Sequence, residues 1–184
     1  MASIGRKGYG QVEPNHLSAQ YTGQIYAQLP AMTGTTANNT TTWAPTAQLE
    51  NGQFLKYNYA DGRASLDGDG EWMLVFNEVK LYDERRQSYK DFCMKASEQS
   101  DGKIYPRLLK TNVGDIFTTN TFYGPAAGPD ADVTATTLVV GNKLAVGSDG
   151  FLAAAGENPT GPIFQVVKIY TLADKQAAVK LQRI

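Results

Sequence analysis

The segment Leu138-Val-Val-Gly-Asn-Lys-Leu-Ala-Val-Gly-Ser-Asp-Gly-Phe-Leu152 constrains the fold more than any other, because it sets two tight-turn signals between short β-prone runs. Gly141-Asn142 and Asp149-Gly150 supply residues that reach positive φ at little cost, as two-residue hairpin turns require. The segment predicts an all-β chain. The same logic extends upstream. In Gln53-Phe-Leu-Lys-Tyr-Asn-Tyr59, Leu55, Tyr57 and Tyr59 share one face of a strand. In Glu71 to Tyr82 a continuous apolar stretch from Trp72 to Phe76 precedes the alternation Glu78, Val79, Lys80, Leu81. That is the pattern of a central strand buried on both faces at one end.

Further strands are expected in Ile104 to Leu109, with Pro106 restricting that run to an edge or a strand start, and in Val113 to Phe122, Ile163 to Leu172 and Ala177 to Ile184. Tyr82 to Met94 admits a short helix, but a strand-loop-strand is expected there; Tyr123 to Asp132, with two Gly-Pro pairs, is a loop. Short strands spaced by turn residues indicate a small sandwich or barrel-like body. Its core is expected from Phe54, Leu55, Trp72, Leu74, Val75, Phe76, Val79, Leu81, Ile116, Leu138, Val140, Val166, Val167 and Ile169.

Residues 1–50 differ from the rest. They hold few apolar clusters, and Thr33-Gly-Thr-Thr-Ala-Asn-Asn-Thr-Thr-Thr42 has little apolar surface to offset the entropy of ordering. The expected division is an extended N-terminal arm, 1–50, and a β-rich body, 51–184. Within the arm, Gln24 to Leu29 is expected to form one short strand with Ile25 and Leu29 on one side.

The 184 residues carry 17 basic and 18 acidic side chains, a formal net charge of −1, so no global field draws the chain to nucleic acid or an anionic membrane. No run approaches the roughly 18 consecutive apolar residues of a membrane helix. The first residues show no secretory signal, and the single Cys93 forms no internal disulfide, which together lead to an expectation of assembly in the cytoplasm.

Chemistry is sparse. The only histidine, His16, lies in the polar N-terminal stretch, so a Ser-His-Asp or Cys-His arrangement is not expected; Cys93, between Phe92 and Met94, reads as a small buried hydrophobe. One Cys and one His do not supply a zinc site. Asp67-Gly-Asp-Gly-Glu71 groups three carboxylates but lacks the spacing of a calcium loop, and Asp-Gly pairs in a β protein read first as turns. Asp115 and Glu78 illustrate that paired carboxylates are not assignable from the chain alone. Gly5-Arg-Lys-Gly-Tyr-Gly10 is no dinucleotide fingerprint, having no strand before it. No catalytic residue, cofactor or metal is expected, and the chain reads as a non-enzyme.

The cadence of Asn142-Lys-Leu-Ala-Val-Gly-Ser-Asp-Gly-Phe-Leu152, beside a Gly/Thr-rich arm and a small β body, resembles that of capsid decoration and auxiliary head proteins of tailed bacteriophages. The resemblance implies a structural virion protein that binds the major capsid protein on the outside of the shell and stabilises it, often as a trimer or other homo-oligomer. The arm would lie along capsid subunits, with Ile25, Tyr26, Leu29 and Trp43 as contact residues, and its removal over 1–42 would leave the body folded. The alternative is a head fibre or adsorption protein binding host-surface glycans through exposed aromatics such as Trp43 or Tyr123.

Overall fold

A computed structural model describes residues 10–12, 25–26, 28–77, 93–123, 138–156, 159, 161–172 and 176–184. The molecule is all-β. Two five-stranded sheets form a sandwich, and every pair of strands among the described residues is antiparallel. The first sheet has the order β1–β9–β7–β5–β6, from β1 (Ile25–Tyr26), β9 (Leu108–Leu109), β7 (Glu71–Val75), β5 (Phe54–Asn58) and β6 (Arg63–Ser65). The second has the order β10–β14–β13–β11–β12, from β10 (Ile116–Thr119), β14 (Ala177–Arg183), β13 (Ile163–Thr171), β11 (Lys143–Val146) and β12 (Leu152–Ala154). Two short ladders complete the fold, β2 (Met32–Ala37) with β3 (Thr40–Pro45), and β4 (Gln48–Glu50) with β8 (Cys93–Lys95).

The run beginning at Trp72 is the middle strand of its sheet, and both of its faces are buried, which explains its continuous apolar stretch. Its register separates two cores. Leu74, opposite Phe54 and Leu109, faces the second sheet, where Phe117, Phe164, Val166 and Leu181 close the first core. The rings of Phe54, Phe117 and Phe164 touch one another, with centroids 5.3 to 6.4 Å apart. Met73 and Val75 point the other way, with Leu55, Tyr57 and Leu108, into a second core covered by Ala31, Leu49 and Ile104.

Asp149-Gly150 turns the chain between β11 and β12 and also joins the sheets. Phe54 donates its amide N–H to the Gly150 carbonyl at 2.7 Å, and Gln53 Nε2 donates to the Asp149 carbonyl at 3.1 Å. Asp149 is fixed in turn by the Tyr123 hydroxyl at 2.7 Å and the Phe151 N–H at 3.1 Å. Gly150 has φ 80°, and an added Cβ would lie 2.3 Å from the Phe54 carbonyl oxygen, so the position excludes any side chain.

Gly141-Asn142 forms a turn, and the described residues just before it, 138–140, are not in a strand. Asn142 N–H donates to the Val139 carbonyl at 3.1 Å, with Gly141 at φ 96°, so Val139 and Val140 sit at an exposed corner. Val140 is therefore 62% exposed and not core, a correction to the pattern reading. Ile169 also departs from expectation. It pairs with Val179 after a bulge at Val167, near the end of its sheet, and is 37% exposed. Phe54, Leu55, Leu74, Val75, Leu138 and Val166 are buried, whereas Trp72, Phe76, Ile116 and Val167 are partly buried. Val79, Leu81, Glu78, most of Tyr82 to Met94, His16 and most of the Tyr123 to Asp132 loop lie outside the described residues.

Candidate functional site

The threonine tract forms a hairpin. Asn38 and Asn39 take φ 49° and 58°, the paired left-handed conformation of a two-residue turn whose twist matches that of its strands. Side-chain oxygens support the ladder: Thr36 and Thr41 lie 2.8 Å apart across it, and the Thr42 hydroxyl donates to the Thr35 carbonyl at 3.2 Å. Apolar area alone gives no sign of this hairpin, which is carried by turn chemistry and threonine pairing.

The hairpin springs from the free edge of the first sheet. Ala64 of β6 donates its N–H to the Pro30 carbonyl at 2.9 Å, Ala31 bridges Ala64, and Thr46 N–H returns to the Ala31 carbonyl at 3.0 Å. Beyond that base, β2 and β3 pair only with each other, and among the described residues neither outer edge of the ribbon is paired. One face carries Thr33, Thr35, Ala37, Thr40, Thr42 and Ala44, all exposed. The opposite face carries Trp43, whose ring lies over Gly34, and the Arg63 guanidinium stacks on that ring at 3.7 Å. Arg63 is held by Asp61 at 2.8 Å, and Asp61 also accepts from the Asn58 amide. Trp43 thus fastens the ribbon to the β5–β6 turn.

The other residues expected at a contact surface are placed differently. The Ile25 backbone pairs with Leu109, and Tyr26 with Leu108. The Tyr26 ring packs 4.7 Å from that of Tyr57, and Leu29 lies against the second core. Much of the apolar surface of Tyr26 and Leu29 is therefore used within the molecule. Tyr57 in turn lies 6.4 Å from Tyr59, whose ring is 74% exposed beside the turn closed by Gly62 N–H on the Tyr59 carbonyl. Burial, then the neighbouring Tyr59 and Tyr26, pushes the Tyr57 phenol above its usual range, and its hydroxyl has no hydrogen-bond partner among the described residues. Tyr59 was visible in sequence only as a strand residue; the Asp61-Gly62 turn just after it is the signal that its ring projects past the strand. Tyr123, the other ring considered for glycans, is buried with its hydroxyl on Asp149, and so offers no stacking face.

Residues 10–12 are bound to the body. Gly10 N–H donates to the buried Glu50 carboxylate at 2.8 Å, Gln11 N–H to Asn120 Oδ1 at 2.8 Å, and the Thr119 hydroxyl donates to the Gln11 carbonyl at 2.6 Å. Val12 bridges Thr119 on the edge of the second sheet and enters the first core. Leu49 and Glu50 of β4 are also buried, so residues at both ends of the 1–50 stretch pack against 51–184.

Carboxylates near the Asp-Gly turns are dispersed. Glu71 pairs with Lys110 at 2.8 Å, and this contact holds the Lys110 ammonium above its usual range. Asp115 is buried and accepts the Asn112 N–H at 2.7 Å. Among the described residues no group of three or more His, Cys, Asp or Glu is placed to hold a metal ion. Cys93 is buried and forms no disulfide among the described residues. No described helix is long and apolar enough to cross a membrane. No protein-family model matches the chain, and no curated protein or solved structure matches it.

Proposed function

We propose that the protein is a non-enzymatic structural component of a phage particle that binds the outside of the capsid shell, as a homo-oligomer on the major capsid protein, and reinforces it. The observation that carries this reading is the β2–β3 ribbon. An ordered hairpin with two open edges is a template for strand addition, in which main-chain hydrogen bonds give affinity and alternate side chains give specificity. Trp43 on Arg63 sets its angle to the body. The contact surface is then the ribbon, with Trp43 at its base, and β1 with Tyr26 and Leu29 supports it from the body. The chain would assemble in the host cytoplasm and reside on the virion surface, without nucleic acid, membrane or cofactor as a partner.

Quantitative mass spectrometry of purified virions tests the reading. Copies in the hundreds per particle support a decorating role. Absence from virions overturns it. A handful of copies favours the second reading, a fibre or adsorption protein binding glycans, for which the exposed Tyr59 ring beside Asn58 and Asp61 is the specific observation.

A further inference from the structure

The outward face of the second sheet has a one-sided charge. The register sets Ile116, Gln182, Gln165 and Lys143 in one row across the sheet, and Thr118, Lys180 and Lys168 in the next; Lys143 and Lys168 are exposed, Lys180 is half-buried, and Thr118 and Ala178 beside it are buried, so the accessible part of this face lies on the β13 side. Lys168 and Lys180 are directly opposed, about 5 Å apart at Cβ by cross-strand geometry, an arrangement that destabilises a sheet and that the Tyr170 ring, 6.0 Å from Lys168 Nζ, offsets only in part. The bulge at Val167 is what brings them opposite, since it shifts Lys168 onto the outward face. No acidic side chain stands in these rows, and none of Lys143, Lys168 and Lys180 forms an ion pair among the described residues.

The counterpart lies on the other sheet. The turn between β6 and β7 presents Asp67 and Asp69, both exposed and neither in an ion pair among the described residues. The turn is held firmly: the Ser65 hydroxyl donates to the Asp67 carbonyl at 2.6 Å, and Lys56 Nζ donates to the Gly68 carbonyl at 2.7 Å, with Gly68 at φ 100°. Lys56 thus reaches main-chain oxygen and leaves both carboxylates open. Asp67 and Asp69 are two residues apart, so their Cα atoms lie at most about 7 Å from each other and the two charges sit on one turn.

We infer that two copies of this chain bind each other through these patches, the Lys168–Lys180 pair of one copy docking on the Asp67–Asp69 turn of the next. The chain is close to neutral overall, so its segregated charges attract in register while net repulsion stays small. The two patches lie on different sheets, so the contact is between unlike surfaces, the kind that propagates into rings when its rotation closes. This deepens the homo-oligomeric part of the reading above, and association measured on the free protein without any shell separates its failure from that of shell binding.

Sedimentation velocity of the full chain at about 20 mM and about 0.5 M salt tests it, because screening shortens from tens of ångströms to a few over that range. An oligomer at low salt that weakens at least about tenfold at high salt is expected. Lys168→Glu with Lys180→Glu, and separately Asp67→Lys with Asp69→Lys, should each give monomer at low salt, and the two double variants mixed together should associate again. Circular dichroism melting confirms that each variant is folded. A wild-type monomer at low salt, an oligomer indifferent to both reversals, or no recovery on mixing the folded variants would overturn the inference.

Discussion

The two faces of the first sheet are covered by different means. Towards the second sheet, Phe54 and Leu74 meet a wall built from the nine residues of β13 and the seven of β14, joined in one long ladder. On the opposite face, Leu55, Met73, Val75 and Leu108 meet Ala31, Leu49, Ile104 and partly buried Leu29, Met94 and Tyr26, carried on strands of two or three residues and on loops. The first core is held by continuous sheet. The second is held by pieces, several of them contributed by residues 26–49. Cooperative units of unequal stability are the expected consequence, with the second core opening at lower free energy.

Truncation is the strongest way to break that comparison. Removing residues 1–42 takes away Val12, Tyr26, Leu29 and Ala31 and deprives the buried Glu50 carboxylate of its Gly10 donor. At ~1.5–3 kcal/mol for a large apolar side chain and ~1–3 for an abandoned buried acceptor, the loss reaches roughly 5 kcal/mol or more. Hydrogen exchange should show amides of β5 and β7 losing protection while β13 and β14 keep theirs. A truncated protein as stable as the full chain would mean that the second core needs no N-terminal cover. The same truncation tests the expectation that the body stays folded without residues 1–42, and shell binding is better probed by altering the ribbon than by deleting it.

Within the first core, Phe164→Ala removes a ring in contact with both Phe54 and Phe117. It should cost about 3–5 kcal/mol in urea denaturation, because a rigid ladder on one side limits collapse into the cavity. Leu49→Ala in the second core should cost less, since short strands relax more easily. Equal losses would erase the distinction between the two cores.

How much of this was legible in the chain follows the same division. β7 shows itself through a continuous apolar run, as a strand buried on both faces must, and β13 and β14 through β-branched runs and alternation, because a long strand with one buried face repeats every two residues. Ala31 and Leu49 do not show themselves, since a two- or three-residue strand is too short to carry a period, and Leu49 pairs with Met94 far along the chain. The ribbon was hidden for another reason: Asn38-Asn39 is a weaker hairpin signal than Asn-Gly, and its threonines pair through hydroxyls, not apolar burial. Of the four residues expected at a contact surface, Trp43 lies at the base of the open ribbon, and Tyr26 and Leu29 pack on the second core. The lysine pair was invisible because Lys168 and Lys180 are opposed only through a bulge that no composition reveals.

The clasp between the sheets offers the next effect in size. Gly150→Ala forces a Cβ to within 2.3 Å of the Phe54 carbonyl oxygen at a left-handed φ; the oxygen belongs to main chain and the Cβ is fixed by its own backbone, so neither swings away. Strain at positive φ and overpacking together should cost about 3 kcal/mol. Asp149→Asn, which leaves the turn shape but removes the charge that accepts the Tyr123 hydroxyl, should cost about 1–2. If Gly150→Ala were neutral, the turn would have room to move off β5, and the sheets would be joined by side-chain packing alone.

The smallest change bears on how the second core tolerates imperfection. Tyr57 is buried there with a hydroxyl that has no partner among the described residues, and burial raises its pKa above 10.0. The folded state thus prefers the neutral phenol. Its contribution is complete below the unfolded value, about pH 10, and is lost as pH rises through the higher folded value. Tyr57→Phe removes both the unsatisfied group and this alkaline loss, so at neutral pH the variant should be unchanged or more stable by up to about 1 kcal/mol. At strongly alkaline pH it should exceed the wild type by a wider margin. Urea midpoints at the two pH values measure both. A loss at neutral pH would mean that the hydroxyl is satisfied in solution and that the second core is as well matched as the first.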